Sequence, residues 1–279
     1  MKFVEIDGAQ VAYRVDGPQP AGGSGVVLLH GTGGDGETHM SALASRLAAR
    51  WCVVRPDYAG SGGTRDGGGA LTVPGLAAQV VAAATAAGLE RFHLLGYSLG
   101  AVVAVQVAAD HSQRVRALVP LGGFVNGTDP RFQMMLRLWL DLMDRDRESL
   151  ARHWILTGFS PAYLSTLAPE TLEDYVALTL LTKSWDGIRR QIELDLVVDV
   201  EAAARRVAAP TLVIGCRQDQ MVPPAHARAL AACVRDARYA ELDSGHAAPL
   251  ECPNAVIDLV APFFAAAEAA PVATAARAG

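Results

Sequence analysis

Lysine is almost missing from this chain: among 279 residues only Lys2 and Lys183 carry that side chain. Arginine does not make up a basic stripe either, because Arg189-Arg190 and Arg205-Arg206 are isolated doublets in a chain of net charge -5. Nucleic acid is therefore not an expected partner. Cysteine is scarce too. Cys52, Cys216, Cys233 and Cys252 form no CxxC pair and have no histidine-rich neighbourhood, which leaves neither a zinc site nor a disulfide framework to expect, only free thiols. Long apolar runs are lacking: the strongest are short or broken by Gln, Pro and Gly, so no segment reads as a bilayer span. The opening Met1-Lys2-Phe3-Val4-Glu5-Ile6-Asp7 puts acidic residues where an export signal needs an unbroken apolar core. These absences predict a soluble, cytoplasmic protein without a membrane partner.

What is present is a folded chain. Hydrophobic residues make up 51% and charged residues 19%, well outside the disordered range, and the length allows one large α/β domain or two small ones. Strands and helices alternate, the pattern of a largely parallel sheet covered on both faces. Phe3 to Ile6 and Gln10 to Val15 alternate around Asp7-Gly8 and predict an antiparallel hairpin ahead of the parallel part. Apolar strands are expected at Val26 to Leu29, Cys52 to Arg55, Phe92 to Leu95 and Val115 to Leu121. Helices are expected from about Glu37 to Arg50, from Thr72 to Gly88, and over Leu99 to Ala109, the last apolar nearly all round and so buried. From 126 to 200 the rhythm changes to helices alone, opened by Thr128-Asp129-Pro130, Ser160-Pro161, Pro169-Glu170 and Ser184. This stretch is expected to be a helical lid inserted in a core made of 1–125 and 201–267. The alternation resumes with Pro210 to Ile214, a helix entered at Pro223-Pro224, the strand Ala237 to Leu242 and a helix from Pro253 to about Ala267; 268–279 is expected to fray.

One window fits GxSxG: Gly96-Tyr97-Ser98-Leu99-Gly100, between a buried strand and a buried helix. A sharp strand-to-helix turn strains the serine backbone and is tolerable only when the residues two before and two after are tiny, as Gly96 and Gly100 are. The turn lifts the Ser98 hydroxyl off the sheet and aims helix N-terminal amides at the same space, so the Leu99 N–H can hold an oxyanion.

On these residues the chain resembles the α/β-hydrolase family, and the likeness runs over nearly its whole length. His30-Gly31-Thr32-Gly33-Gly34 is similar to the family's oxyanion loop, which implies the Thr32 backbone N–H as the second oxyanion donor, with His30, Gly31 and Gly33 supporting the loop. Pro56-Asp57-Tyr58-Ala59-Gly60-Ser61-Gly62 is similar to the loop after the next strand. Gly215-Cys216-Arg217-Gln218-Asp219 and Ser244-Gly245-His246 each follow a strand and complete the family order serine, acid, histidine. The resemblance implies a mostly parallel eight-stranded sheet with the antiparallel hairpin at its start. A serine hydroxyl needs a base, for which a neutral imidazole serves. Of seven histidines His246 is the choice; His30 precedes a glycine turn and braces the loop, and His93 lies inside a strand. Asp219 would orient the imidazole, with Asp129 as the alternative acid.

Gly31-Thr32-Gly33-Gly34-Asp35-Gly36 also spells GxGxxG, trailed by Asp57 as in a dinucleotide site. Two strands precede it, however, and no Tyr is followed four residues later by Lys, so a nicotinamide enzyme is the weaker reading. The same scaffold also hosts lyases, cyclases, dehydratases and inactive binding proteins. The elbow serine speaks against epoxide hydrolases and haloalkane dehalogenases, which resemble this family but need aspartate there. The Ser-Leu-Gly elbow and modest lid are most similar to 3-oxoadipate enol-lactonases and carboxylesterases, and Ala101 is similar to type II thioesterases. The lid supplies Met134, Met135, Trp139, Met143, Trp154, Phe159, Tyr163, Tyr175 and Trp185. The expected activity is hydrolysis of an ester, lactone or thioester of a small to medium apolar acyl compound, with no metal or organic cofactor and a small-molecule substrate as partner. A homodimer is compatible with this reading.

Overall fold

Asp7 (φ 48°) and Gly8 (φ 78°) both adopt the left-handed backbone that a two-residue hairpin turn demands, and they reverse the chain where the sequence predicts. In the computed structural model, which describes residues 1–269, β1 (Lys2–Ile6) thus pairs antiparallel with β2 (Ala9–Asp16). The remaining strands are β3 (Ser24–Leu29), β4 (Val53–Asp57), β5 (Arg91–Tyr97), β6 (Val115–Leu121), β7 (Leu212–Cys216) and β8 (Arg238–Leu242). They form one eight-stranded sheet in the order β1-β2-β4-β3-β5-β6-β7-β8. Strand β2 runs antiparallel to β4, and every pairing from β4 through β8 is parallel.

Successive strand residues point to opposite faces, so a sheet covered on both sides needs apolar residues at every position. β3 meets that need: Val27 and Leu29 join one core, Val26 and Leu28 the other. The first core is closed by α2 (Val73–Ala86), α3 (Leu99–Asp110), α9 (Glu201–Arg206) and α10 (Pro224–Cys233), through Val80, Val102, Ala203 and Leu230. The second is closed by α1 (Ser41–Leu47) and α12 (Pro253–Ala269), through Leu43, Val256 and Phe264. Helix α3 is buried almost all round, as its composition predicts, because α2 and α9 flank it over the sheet.

Between β6 and α9 the chain makes α4 (Pro130–Arg145), α5 (Arg147–Gly158), α6 (Pro161–Leu164), α7 (Pro169–Thr182) and α8 (Trp185–Asp195). The ends of this segment are stitched together: Asn126 bridges Asp199, Gly127 N–H donates to Val198 O at 2.9 Å, and Val200 N–H to Val125 O at 2.9 Å. A short α11 (Ala248–Glu251) follows β8.

Two boundaries differ from expectation for identifiable reasons. α1 begins at Ser41 rather than near Glu37, because the Asp35 carboxylate accepts the Glu37 and Thr38 amides at 2.8 and 2.7 Å and holds a turn there. α12 runs to Ala269, so residues 268 and 269 are helical rather than frayed. Glu268 anchors them by accepting from Trp51 Nε1 at 2.8 Å and Arg50 Nη2 at 3.0 Å. The rest of the expected tail, 270–279, lies outside the described residues. Among the described residues no helix is long and apolar enough to cross a membrane.

Candidate active site

β5 delivers Tyr97 into the sheet and α3 begins at Leu99, which leaves Ser98 alone to make the corner. It does so at φ 57°, ψ -122°, a conformation that costs an L-residue about 1–3 kcal/mol. The two glycines around it are steric necessities. A Cβ on Gly96 would run into the Gly100 carbonyl, and one on Gly100 would meet the carbonyl oxygens of His30 and Leu29.

The loop after β8 brings His246 to this corner, with Nε2 3.0 Å from Ser98 Oγ. On the other side of the ring, Nδ1 lies 2.6 Å from Asp219 Oδ2, the residue that ends the β7 loop. A carboxylate only accepts, so Nδ1 carries the proton and the Nε2 lone pair is left to accept from the serine hydroxyl. The Asp219 side chain is fully buried, and its second oxygen accepts the amides of Met221 at 2.9 Å and Val222 at 2.7 Å. The structure therefore brings Ser98, His246 and Asp219 into one hydrogen-bonded line from three distant parts of the chain.

Asp129 is elsewhere. It is the N-cap of α4, accepting from Phe132 N–H at 2.8 Å, and makes no bond to His246. Replacing it with alanine is expected to leave kcat within about threefold of wild type while lowering stability by about 1 kcal/mol, the ordinary loss of a cap, measurable by urea titration. A collapse of activity with unchanged stability would return Asp129 to the list of acids.

Gly31 lies close enough to the corner that a Cβ there would stand 2.9 Å from Ser98 Cβ. Among the described residues neither the Thr32 nor the Leu99 amide donates to a protein acceptor. His30 is buried behind the loop, with Nδ1 2.9 Å from Gly31 O and its ring stacked on Tyr58 at 4.0 Å. The Tyr58 hydroxyl donates to the His30 carbonyl, and Gly31 N–H donates to His39 Nδ1 at 3.3 Å. Burial pushes the titration of His30 and of His39 down, so both rings stay neutral. Asp57, which a dinucleotide site would leave free for a ribose, is fully buried instead. It accepts Gly36 N–H at 2.8 Å and Gly63 N–H at 3.0 Å and pairs with Arg14 at 3.0 Å.

Two site residues escaped the sequence reading. On α8, Gln191 Oε1 accepts Gly33 N–H at 2.9 Å, and one turn later Asp195 Oδ2 accepts from Thr32 Oγ1 at 2.6 Å. Both are buried, and burial raises the Asp195 carboxyl to about 7, partly offset by the Thr32 bond. The clue was present: both lie on the apolar stripe of Ile188 and Ile192, where a polar residue has to find a partner.

A cavity of about 410 Å³ opens over Ser98 and His246. Trp139, Trp154, Phe159, Tyr175 and Leu178 from the inserted helices form much of its wall. Phe132 joins them, while several other aromatic and methionine side chains of that segment do different work. Trp185 stacks on Trp154, Met135 and Met143 are buried in the core, and Met134 is 74% exposed. Among the described residues no three His, Cys, Asp or Glu side chains are grouped to hold a metal.

The profile of the Alpha/beta hydrolase family matches residues 26–259. Over 264 residues the chain is 45% identical to the pyrrolizixenacetamide deacetylase of Xenorhabdus hominickii, covering 95% of this chain and 98% of that one. The fold is similar to that of the enol-lactonase of Burkholderia xenovorans LB400, with a TM-score of 0.85, 23% identity, and coverage of 95% of this chain and 100% of the other. It is also similar to a hydrolase of Pseudomonas aeruginosa PA01, with a TM-score of 0.78, 26% identity, and coverage of 94% and 97%.

Proposed function

Because this chain belongs to the alpha/beta hydrolase family, we propose that it is a serine hydrolase that removes a small acyl group from a medium-sized apolar compound through an acyl-enzyme. The observation that carries this reading is the relay of 3.0 and 2.6 Å from Ser98 through His246 to Asp219. In the mechanism, His246 takes the Ser98 proton as Oγ attacks the carbonyl carbon, and the Thr32 and Leu99 amides hold the oxyanion. The imidazolium, stabilised by Asp219, then protonates the leaving group. Water enters, gives its proton to the same imidazole, and releases the acid.

The sequence pointed to esters, lactones and thioesters. The likeness to a deacetylase, whose name specifies an acetamide, adds the amide bond and makes acetyl the favoured acyl group. A leaving amine is a poor one until protonated, and a relay that returns the serine proton from Nε2 supplies that proton at the scissile bond. Helices α4 to α8 act as the lid, and a cavity of about 410 Å³ suits an acetyl group on a bicyclic or aromatic body rather than a polymer.

The test has two parts. A fluorophosphonate probe is expected to add its mass to Ser98, with p-nitrophenyl acetate giving a burst of one nitrophenolate per chain. Across acyl chains kcat/KM is expected to fall at least tenfold from acetyl to octanoyl, and an N-acetyl arylamine is expected to turn over. An unlabelled Ser98 would end the serine reading, and a missing burst with full turnover of a natural substrate would favour proton-transfer chemistry on this scaffold. A profile that rises with chain length would move the substrate to lipids.

A further inference from the structure

The mechanism uses only the backbone of Thr32, yet its side chain is held by a carboxyl group of unusual standing. Asp195 is 3% exposed and lines the cavity, and its Oδ1 has no hydrogen-bond partner among the described residues. Its Oδ2 meets Thr32 Oγ1 at 2.6 Å. Among the described residues no cation pairs with it; burial is the main influence on its titration, and the Thr32 hydroxyl opposes it. A structural carboxylate in such a place would ordinarily be paired or replaced by an amide.

The neighbouring contact explains the arrangement. Gln191, four residues earlier on α8, takes the Gly33 N–H at 2.9 Å and is itself fixed by donating through Nε2 to Ser61 Oγ at 2.7 Å. Residues four apart share one helix face. α8 therefore grips the two consecutive residues Thr32 and Gly33, one by its side chain and one by its amide, and the Thr32 N–H belongs to the first of the two residues so held. Resting on the function proposed above, we infer that Asp195 is a positioning residue for the oxyanion loop. It acts through Thr32 Oγ1 and in concert with Gln191, and it does so as the neutral acid, so that the Thr32 amide is aimed by the seat of a lid helix.

Neutrality matters because an anion beside the loop would oppose the negative charge that forms on the carbonyl oxygen. The titratable group on which the Asp195 charge acts is Tyr58, whose phenol burial keeps protonated well past the ordinary range. His39, Lys183 and His246 line the same cavity, and the part of the pH response that belongs to Asp195 is the part that Asp195→Asn removes. Below about 7 the carboxyl is neutral, above that it ionises, and turnover falls.

The experiment compares Asp195→Ala and Asp195→Asn with wild type on p-nitrophenyl acetate, after Ser98 labelling of the wild-type chain has been measured. Losing the grip misplaces an oxyanion donor, so D195A is expected to lose about 10- to 100-fold in kcat with KM within threefold. D195N keeps an acceptor for the Thr32 hydroxyl and cannot ionise. It is expected to stay within about threefold of wild type at pH 6.5 and to lack the decline in kcat that wild type shows above pH 7. Matching melting curves guard against simple unfolding, and the isosteric D195N keeps the test open should D195A not fold. Wild-type kcat in D195A overturns the inference, as does a D195N chain impaired as badly as D195A at pH 6.5. Absence of Ser98 labelling in the wild-type chain would instead sink the function on which this rests.

Discussion

Ser98→Ala is expected to lower turnover of p-nitrophenyl acetate by about 10⁴- to 10⁶-fold, the span seen when one member of a serine, histidine, acid unit is removed. The loss belongs almost wholly to kcat, because the cavity walls that bind the substrate are untouched. A second substitution at the same position separates chemistry from strain. Ser98 sits at φ 57°, ψ -122°, where a side chain costs about 1–3 kcal/mol and glycine costs little. Ser98→Gly should therefore be as inactive as Ser98→Ala yet more stable than it. Part of the relief is returned through the larger entropy of an unfolded glycine, about 0.5–1 kcal/mol, which leaves a gain of up to about 2.5 kcal/mol and a melting temperature up to a few degrees higher. Retention of more than a tenth of the activity in either variant would mean that another residue attacks the carbonyl. Equal melting temperatures would mean that the strain at the elbow is no larger than the entropy glycine adds to the unfolded chain, about 0.5–1 kcal/mol.

The elbow was legible because its demands are local. A corner that forces one residue into positive φ and packs its flanks against neighbouring carbonyls leaves only glycine at positions 96 and 100, and such a requirement shows in the letters themselves. The sheet was legible for a related reason: parallel strands buried on both faces are apolar without alternation, and β6 has the bounds Val115 to Leu121 that its apolar run predicts. Asp219 and His246 could be found because each follows a strand at the same edge of the sheet. Asp129 looked similar on that criterion, and it is the structure that separates them: Asp129 caps α4 through Phe132, whereas Asp219 meets His246.

What stayed hidden depends on long-range packing. α5 begins at Arg147, with the Asp146 carboxylate accepting from Ser149 N–H at 3.0 Å, and this aspartate lies in a run of charges that masks its role as a cap. Gln191 and Asp195 lie 158 and 163 residues along the chain from the loop residues they hold. Nothing near Thr32 in sequence announces them, and nothing near Asp195 names a partner. The division of the aromatics in the inserted helices was equally out of reach. Trp154 and Trp185 have the same composition and helical context, yet Trp154 lines the cavity and Trp185 lies stacked on it.

Asp219→Asn is expected to cost about 10⁴-fold in kcat while leaving the fold and KM nearly unchanged. The reason lies in the oxygen of Asp219 that does not face the histidine. Oδ1 accepts two amides, from Met221 at 2.9 Å and Val222 at 2.7 Å, both buried. An asparagine must keep its carbonyl oxygen in that place, because turning the amide round would set an NH₂ group against two N–H donors and leave all of them unsatisfied. The NH₂ is therefore forced toward His246 Nδ1, now 2.6 Å away across the Asp219 bond. It donates where the carboxylate accepted, so Nδ1 has to become the acceptor and the ring proton moves to Nε2. An imidazole protonated at Nε2 cannot take the Ser98 proton. Asp219→Ala leaves the tautomer free and is expected to retain more activity than Asp219→Asn, an inversion of the order that size and polarity alone would give. Measured kcat values at one pH for the two variants decide the matter: a more active Asp219→Asn would show that the amide had turned, or that Asp219 does not set the tautomer of His246.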